Sequence, residues 1–540
     1  MRSTHTTMIR PLSLLLAAGA ALTLGACEAV GPNYKEPALN APAAWATADL
    51  PGAPAASAPG ELTKWWTALN DPTLSSLMDR AVTGNLDLKL ATARIREARA
   101  ARSFARAGDS PTLDLNAGAE RSRNSPNANN GVSTGNTRSQ GEGLFTAGLD
   151  ASWEIDVFGG VRRAVEAADA DVNSAVWNRR NLTVSLLAEV ALNYMDLRTA
   201  QQRIVATRGN VDTQSKTVDL ATNRFTTGLD SEIDSTRARS QKAATASLIP
   251  ALEAQARQAI HRISVLTGQH PGALVAELDP ASVIPAIASG QNIPIGVPTD
   301  LLRRRADVRQ AERDLAGGTA RIGVATAELY PRFTLNGSIG LSSRVLGHFP
   351  RGDSTFWSIG PGVDWNLFDG GAIRANIAVV EARTDQLAIN YQSTLLNALR
   401  EVDDAAVAFV KNQERAAALS EAVTQQKRAV ELANQLFAKQ LTNFLTVLDS
   451  QRRLFELQDE LVASQGDVGT SLVALYKALG GGWEGTDERL DQPAAAFPQP
   501  GPTSPAPKDS AAAATPAAEA ARKAEPEATT PAATEPAAKP

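Results

Sequence analysis

Residues able to do chemistry are sparse in this chain, and their spacing excludes most catalysis. The four histidines, His5, His261, His270 and His348, stand at no metal-ligand spacing with one another or with cysteine. No Gly-x-x-x-x-Gly-Lys-Ser/Thr loop is present to cradle nucleotide phosphates, and no Gly-x-Ser-x-Gly elbow to expose a nucleophile. The adjacent acids Asp403 and Asp404 point in different directions from a helix and read as solvated surface. The sequence therefore predicts no enzyme activity, no metal and no bound cofactor beyond a covalent lipid. A net charge of −5 gives no basic footprint, so nucleic acid is not an expected partner.

The one reactive side chain with a clear context is Cys27. Arg2 and Arg10 precede an apolar core, Leu12 to Ala18, that runs on to Leu24-Gly25-Ala26-Cys27, so residues 1–26 read as an export signal. A single cysteine cannot form an internal disulfide. Small residues at 25 and 26 before it resemble a bacterial lipobox, which implies cleavage before Cys27 and its acylation. Glu28 follows, not the aspartate that retains such lipoproteins in the inner membrane, so the outer membrane is expected. No later run of about 20 apolar residues exists, so no membrane-spanning helix is expected.

The elements around these residues form an internal repeat. Ser110-Pro111-Thr112-Leu113-Asp114-Leu115-Asn116 is answered by Tyr330-Pro331-Arg332-Phe333-Thr334-Leu335-Asn336. Trp153 to Gly160 is answered by Asp364 to Gly371. Such self-similarity implies two like units in one object. The division is a lipidated N-terminal tether at 27–60, Pro/Ala-rich from 37, a first repeat at 61–270, a connector at 271–298, a second repeat at 299–485, and an Ala/Pro-rich tail at 486–540 expected to be disordered. Helices are expected at about 74–107, 161–225, 231–267 with a kink at Pro250, 299–329, 372–438 and 444–479. Strands are expected at about 112–122, 144–157, 332–343 and 355–367.

The strands alternate too long for an ordinary globular sheet. Phe145, Ala147, Leu149, Ala151, Trp153, Ile155 and Val157 alternate with Thr146, Gly148, Asp150, Ser152, Glu154 and Asp156. A tilted strand crosses a bilayer in about 9–11 residues, which these supply. Four strands cannot close a barrel, and an open edge in lipid strands its backbone groups, so several chains must share one barrel. Arithmetic alone admits a dimer, a trimer or a tetramer. In the long helices Val190, Leu197, Ile204, Val211, Val218 and Phe225 recur every seven residues, as do Val402, Phe409, Ala416, Val423, Val430 and Phe437. That period packs helices as long supercoiled pairs, roughly 100 Å from end to end at about 1.5 Å per residue.

Further motifs are Val30-Gly31-Pro32-Asn33-Tyr34-Lys35-Glu36-Pro37, Trp65-Trp66 with Asp71-Pro72, Asn85-Leu86-Asp87-Leu88, and Pro298 through Arg309, with Ala306 where a proline is usual. On these the chain resembles the TolC-type outer-membrane channels, in the lipoprotein branch that serves drug efflux pumps. The resemblance implies a mixed α/β membrane protein, a homotrimer whose twelve strands form one barrel continued by a periplasmic helical barrel. It also implies a periplasmic adaptor and an inner-membrane transporter as partners. The two helix-to-helix turns become the periplasmic tip, where Gly228, Leu229, Gln440 and Leu441 are the candidate adaptor contacts. Gly228 takes a positive φ freely and Gln440 does not, so the second turn is expected to be shaped differently. Asp234 and Asp449 match positions that close and line the mouth, and three copies of Asp449 would make a cation-attracting ring. Phe437, Thr442 and Thr446 stand where the family carries a tyrosine, an arginine and a second ring acid, which turns the expected closure from charge pairing toward an apolar constriction. Two other classes remain open at this point: a structural coiled-coil envelope lipoprotein, and an exit duct for type I protein secretion.

Overall fold

The computed structural model describes residues 28–38, 42–47, 62–123, 142–286 and 297–486. Cys27, the polar loop between the first two strands and the tail lie outside the described residues. In chain order the elements are α1 (Pro72–Gly84), α2 (Leu86–Ala107), β1 (Thr112–Ser122), β2 (Glu142–Ile155), α3 (Gly160–Thr226), α4 (Glu232–Ala246), α5 (Ile249–Leu266), α6 (Pro298–Arg304), α7 (Ala306–Ala327), β3 (Arg332–Ser343), β4 (Thr355–Asp364), α8 (Ala372–Ala438) and α9 (Phe444–Ala478). The repeat is kept in detail: α3 and α8 each run 67 residues and stand 212 residues apart at both ends.

Two helices expected as continuous are interrupted, and the kink expected at Pro250 is a full break, each for a local reason. At Asn85 the backbone leaves the helical region (φ −57°, ψ 133°), and its side chain caps α2 by accepting from the Asp87 and Leu88 N–H groups. At Arg305 the backbone is extended while the buried guanidinium donates to Asp307, Glu401 and the Ala478 carbonyl. The return helix of the first repeat ends at Ala246 and restarts at Ile249, with Pro250 in the first turn, where a missing N–H costs nothing.

The strands form one antiparallel sheet in the order β1-β2-β3-β4, with β2 and β3 joining the two repeats. They are 11, 14, 12 and 10 residues long, enough for a tilted span. The register puts Leu115, Leu149, Ile339 and Trp357 in one cross-strand row and Asp114, Asp150, Ser338 and Ser358 in the adjacent one. One face is thus mainly apolar and the other mainly polar from β1 to β4. Apolar side chains lie open, Leu115 at 75% and Trp357 at 73% exposed, as a lipid-facing surface requires. At the helix end of the sheet the Trp153 and Trp365 indoles donate to the Asp109 and Leu329 carbonyls at 3.0 and 3.1 Å, repeat-related anchors suited to a membrane interface.

Midway along the helices lies the main core. Trp65 stacks on Tyr476 at 4.9 Å, and Leu74, Leu77 and Met78 of α1 pack with Leu187, Val190 and Leu197 of α3 and Leu472 and Val473 of α9. Asp71 serves twice there, capping α1 through Leu74 N–H and accepting from Tyr194 Oη at 2.7 Å. The N-terminal segment expected as a loose tether is docked where it is described. The Val30 N–H bonds the Phe158 carbonyl, and buried Arg163 donates to the Val30 carbonyl and to Asn33 Oδ1. Tyr34 Oη donates to Glu312, a carboxylate only 1% exposed that Arg309 and Arg313 neutralise. Further along, Trp45 is 4% exposed within the main core. Tyr34 and Trp45 are the side chains that fix this segment.

Candidate functional site

Both long helices end in the same turn. After α3, Gly228 N–H bonds the Phe225 carbonyl and Leu229 N–H bonds the Arg224 carbonyl, with Gly228 at φ +74°. After α8, Gln440 N–H bonds the Phe437 carbonyl and Leu441 N–H bonds the Leu436 carbonyl, with Gln440 at φ +60°. This paired pattern is the Schellman motif, whose penultimate residue must be left-handed. The expectation of a differently shaped second turn is corrected: Gln440 accepts the left-handed conformation, at about 1–2 kcal/mol, because the two bonds and the following helix fix the turn. Leu229 and Leu441 are consequently held at equivalent positions, 60% and 71% exposed.

Below the turns Ser231 caps α4 and Asn443 caps α9, Asn443 Oδ1 accepting from Thr446 N–H at 3.0 Å and from its hydroxyl at 2.9 Å. Thr442 Oγ1 donates to Thr446 Oγ1 at 3.1 Å, so both threonines are engaged in holding the second turn. Phe437 is not on a passage surface in this subunit. It is 6% exposed, 5.4 Å from Phe444, in a small core with Ala221, Ala238, Val447 and Leu448 that joins the two hairpins. Within the subunit Phe437 is therefore a packing residue. Its repeat partner Phe225 is exposed.

The sequence reading passed over Arg224 and Asp230. Their side chains bond at 2.5 Å, and the Arg224 guanidinium lies 4.8 Å over the Phe437 ring. The bond to Asp230 holds Arg224 above its ordinary pKa, so the guanidinium stays charged. Asp234 sits half-buried in the first turn of α4 and Asp449 is exposed on α9. Asp449 pairs with Arg452 at 2.7 Å and shares a groove of about 330 Å³ with Arg237, Gln241 and Leu448. Arg237 is the 212-residue counterpart of Asp449, and aligning the repeats would have found it. Among residues 224–239 and 439–456, five acids face six bases, so the mouth is charge-compensated.

A sheet with one apolar and one polar face, carried by paired helices and open at both edges, is one share of a channel wall. The profile of the family described as "Outer membrane efflux protein" matches residues 77–269 and 297–481, covering both repeats. The chain belongs to that family. It is 32% identical over 464 residues to nodulation protein T of Rhizobium leguminosarum bv. trifolii, covering 86% of this chain and 96% of the relative. It is 32% identical over 475 residues to the toluene efflux pump outer membrane protein TtgI of Pseudomonas putida, covering 86% and 97%. Among solved structures, the outer-membrane channel OprN matches at 35% identity and a TM-score of 0.78, over 84% of this chain and 99% of that one. The protein is an outer-membrane efflux channel of a Gram-negative bacterium that extends into the periplasm, with the trimeric α/β fold of its family. That family is one of transport components, not of enzymes.

Proposed function

We propose that this chain is the passive exit duct of a tripartite pump for small molecules, receiving cargo from an inner-membrane transporter through a periplasmic adaptor. One observation carries the partner assignment: two unlike sequences build the same turn and present Leu229 and Leu441 alike. Exposed leucines on rigid turns offer apolar anchors at low ordering cost, and Gly228 and Gln440 set their direction. The toluene pump relative favours small apolar cargo over secreted protein. Cys27, at the signal boundary, carries the lipid anchor, and the docked segment behind it ties that anchor to the strand–helix junction through Val30.

In this reading the mouth is held by a clasp, Arg224–Asp230 against the Phe437 ring, more than by a ring of like charges. Asp234 and Asp449 line it, and Thr442 and Thr446 stiffen its second turn. Photocrosslinkers at positions 229 and 441 in living cells test the assignment. Adducts with a periplasmic protein from both positions are expected. Absence of adducts at both, with crosslinking between subunits retained, would refute adaptor docking at the tip.

A further inference from the structure

The register of the sheet decides which charges meet the solute in the outer membrane. With the apolar rows turned to lipid, the polar rows face the lumen. Among the described lumen-facing side chains the charged ones are Asp114, Glu120, Asp150, Glu154 and Asp364 against Arg332 alone, and Arg332 lies directly across from Asp364. The negative charge is spread along the wall, from the helix end (Glu154, Asp364) through the middle (Asp114, Asp150) to the far end (Glu120).

One pair on that wall is placed against its own stability. Asp114 and Asp150 are direct cross-strand partners, and like charges so placed repel. Asn116 Nδ2 donates to Asp150 at 2.6 Å, a neutral donor that satisfies one oxygen and adds no positive charge. The far end of the duct is built the other way, since Asp449 has Arg452 as an ion-pair partner and Arg237 in its groove. A low-dielectric wall focuses the field of uncompensated carboxylates into the lumen, while paired charges at the tip largely cancel.

We propose that the charge selectivity of this channel is set by the barrel wall, with Asp114 and Asp150 as its principal determinants, and that the wall favours cationic solutes. The trimer brings six such carboxylates to one lumen. Asp449, despite its position at the mouth, contributes little. The proposal rests on the channel reading and refines it.

The test is the reversal potential of the purified full-length trimer in planar bilayers under a potassium chloride gradient. The unaltered channel is expected to be cation-selective. Asp114→Asn with Asp150→Asn should move the reversal potential toward zero while open conductance persists, and Glu154→Gln should move it further. Asp449→Ala should leave it in place. An unmoved potential in the double variant, or loss of cation preference in Asp449→Ala alone, would overturn the proposal. Absence of any conductance in the unaltered trimer would instead strike at the channel reading. Asp114→Glu with Asp150→Glu, which keeps the charge, should retain the original potential and so separates charge from folding.

Discussion

Gln440 shows how a single residue can be read correctly and still mislead. Its aversion to positive φ is real, but two backbone bonds and a capped helix on the far side outweigh it. Gln440→Gly should therefore stabilise the tip by about 1 kcal/mol, measurable as slower amide exchange across residues 436–446. No change there would mean that the left-handed turn carries no cost. Arg224 and Asp230 were invisible because neither has a motif and their meeting depends on the turn between them. Arg224→Ala should lengthen open times in single-channel recordings, and Arg224→Lys, which keeps charge but loses the planar fork, should recover only part of the closure. Asp369 adds a pH-dependent element at the head of α8. Bonds from the Ile373 and Gly371 N–H groups hold its carboxyl below the usual range. A depressed acid gives its stabilisation above the unfolded-state pKa and loses it as pH falls through the lowered value. Protection of Ile373 from amide exchange should fall in acid, and Asp369→Ala should show the loss at neutral pH too.

Element boundaries were legible wherever period and punctuation agreed. The strands, the paired glycines after β2 and β4, and the 212-residue offset of the long helices all follow from pattern. The interruptions at Asn85 and Arg305 did not, because apolar period continues across them while a cap or a buried guanidinium resets the backbone. The docked N-terminal segment was missed for the opposite reason. Its fixed points are isolated side chains, Tyr34 and Trp45, with no period at all. Removing the proton donor to buried Glu312 with Tyr34→Phe should cost about 1–3 kcal/mol in trimer stability, read by chemical denaturation. In the sheet the tightest constraint is Gly340, where an added Cβ would lie 2.5 Å from the Ala147 carbonyl and 2.9 Å from the Phe356 ring. Phe356 lies over Gly340 and Gly148 on the lumen face. Gly340→Ala should lower the temperature at which the trimer dissociates. Adding Phe356→Ala should restore only part of it, since the carbonyl clash remains; complete recovery would place the whole constraint on the ring.

For the whole molecule, the decisive property is incompleteness. Among the described residues each subunit offers two free sheet edges, β1 and β4, and exposed backbone in hydrocarbon costs several kcal/mol per unpaired group. Among the described residues nothing covers the apolar rows, and the polar rows face a water-filled space only if the sheet closes around it. Sequence pattern reached this point but not the number of copies, because dimer, trimer and tetramer satisfy the same alternation; kinship with the family supplies three. Native mass measurement of the detergent-extracted protein tests the account most directly. A single species at three times the mature subunit mass is expected, whereas a stable monomer would mean that the β1 and β4 edges need no partner and that no shared barrel exists.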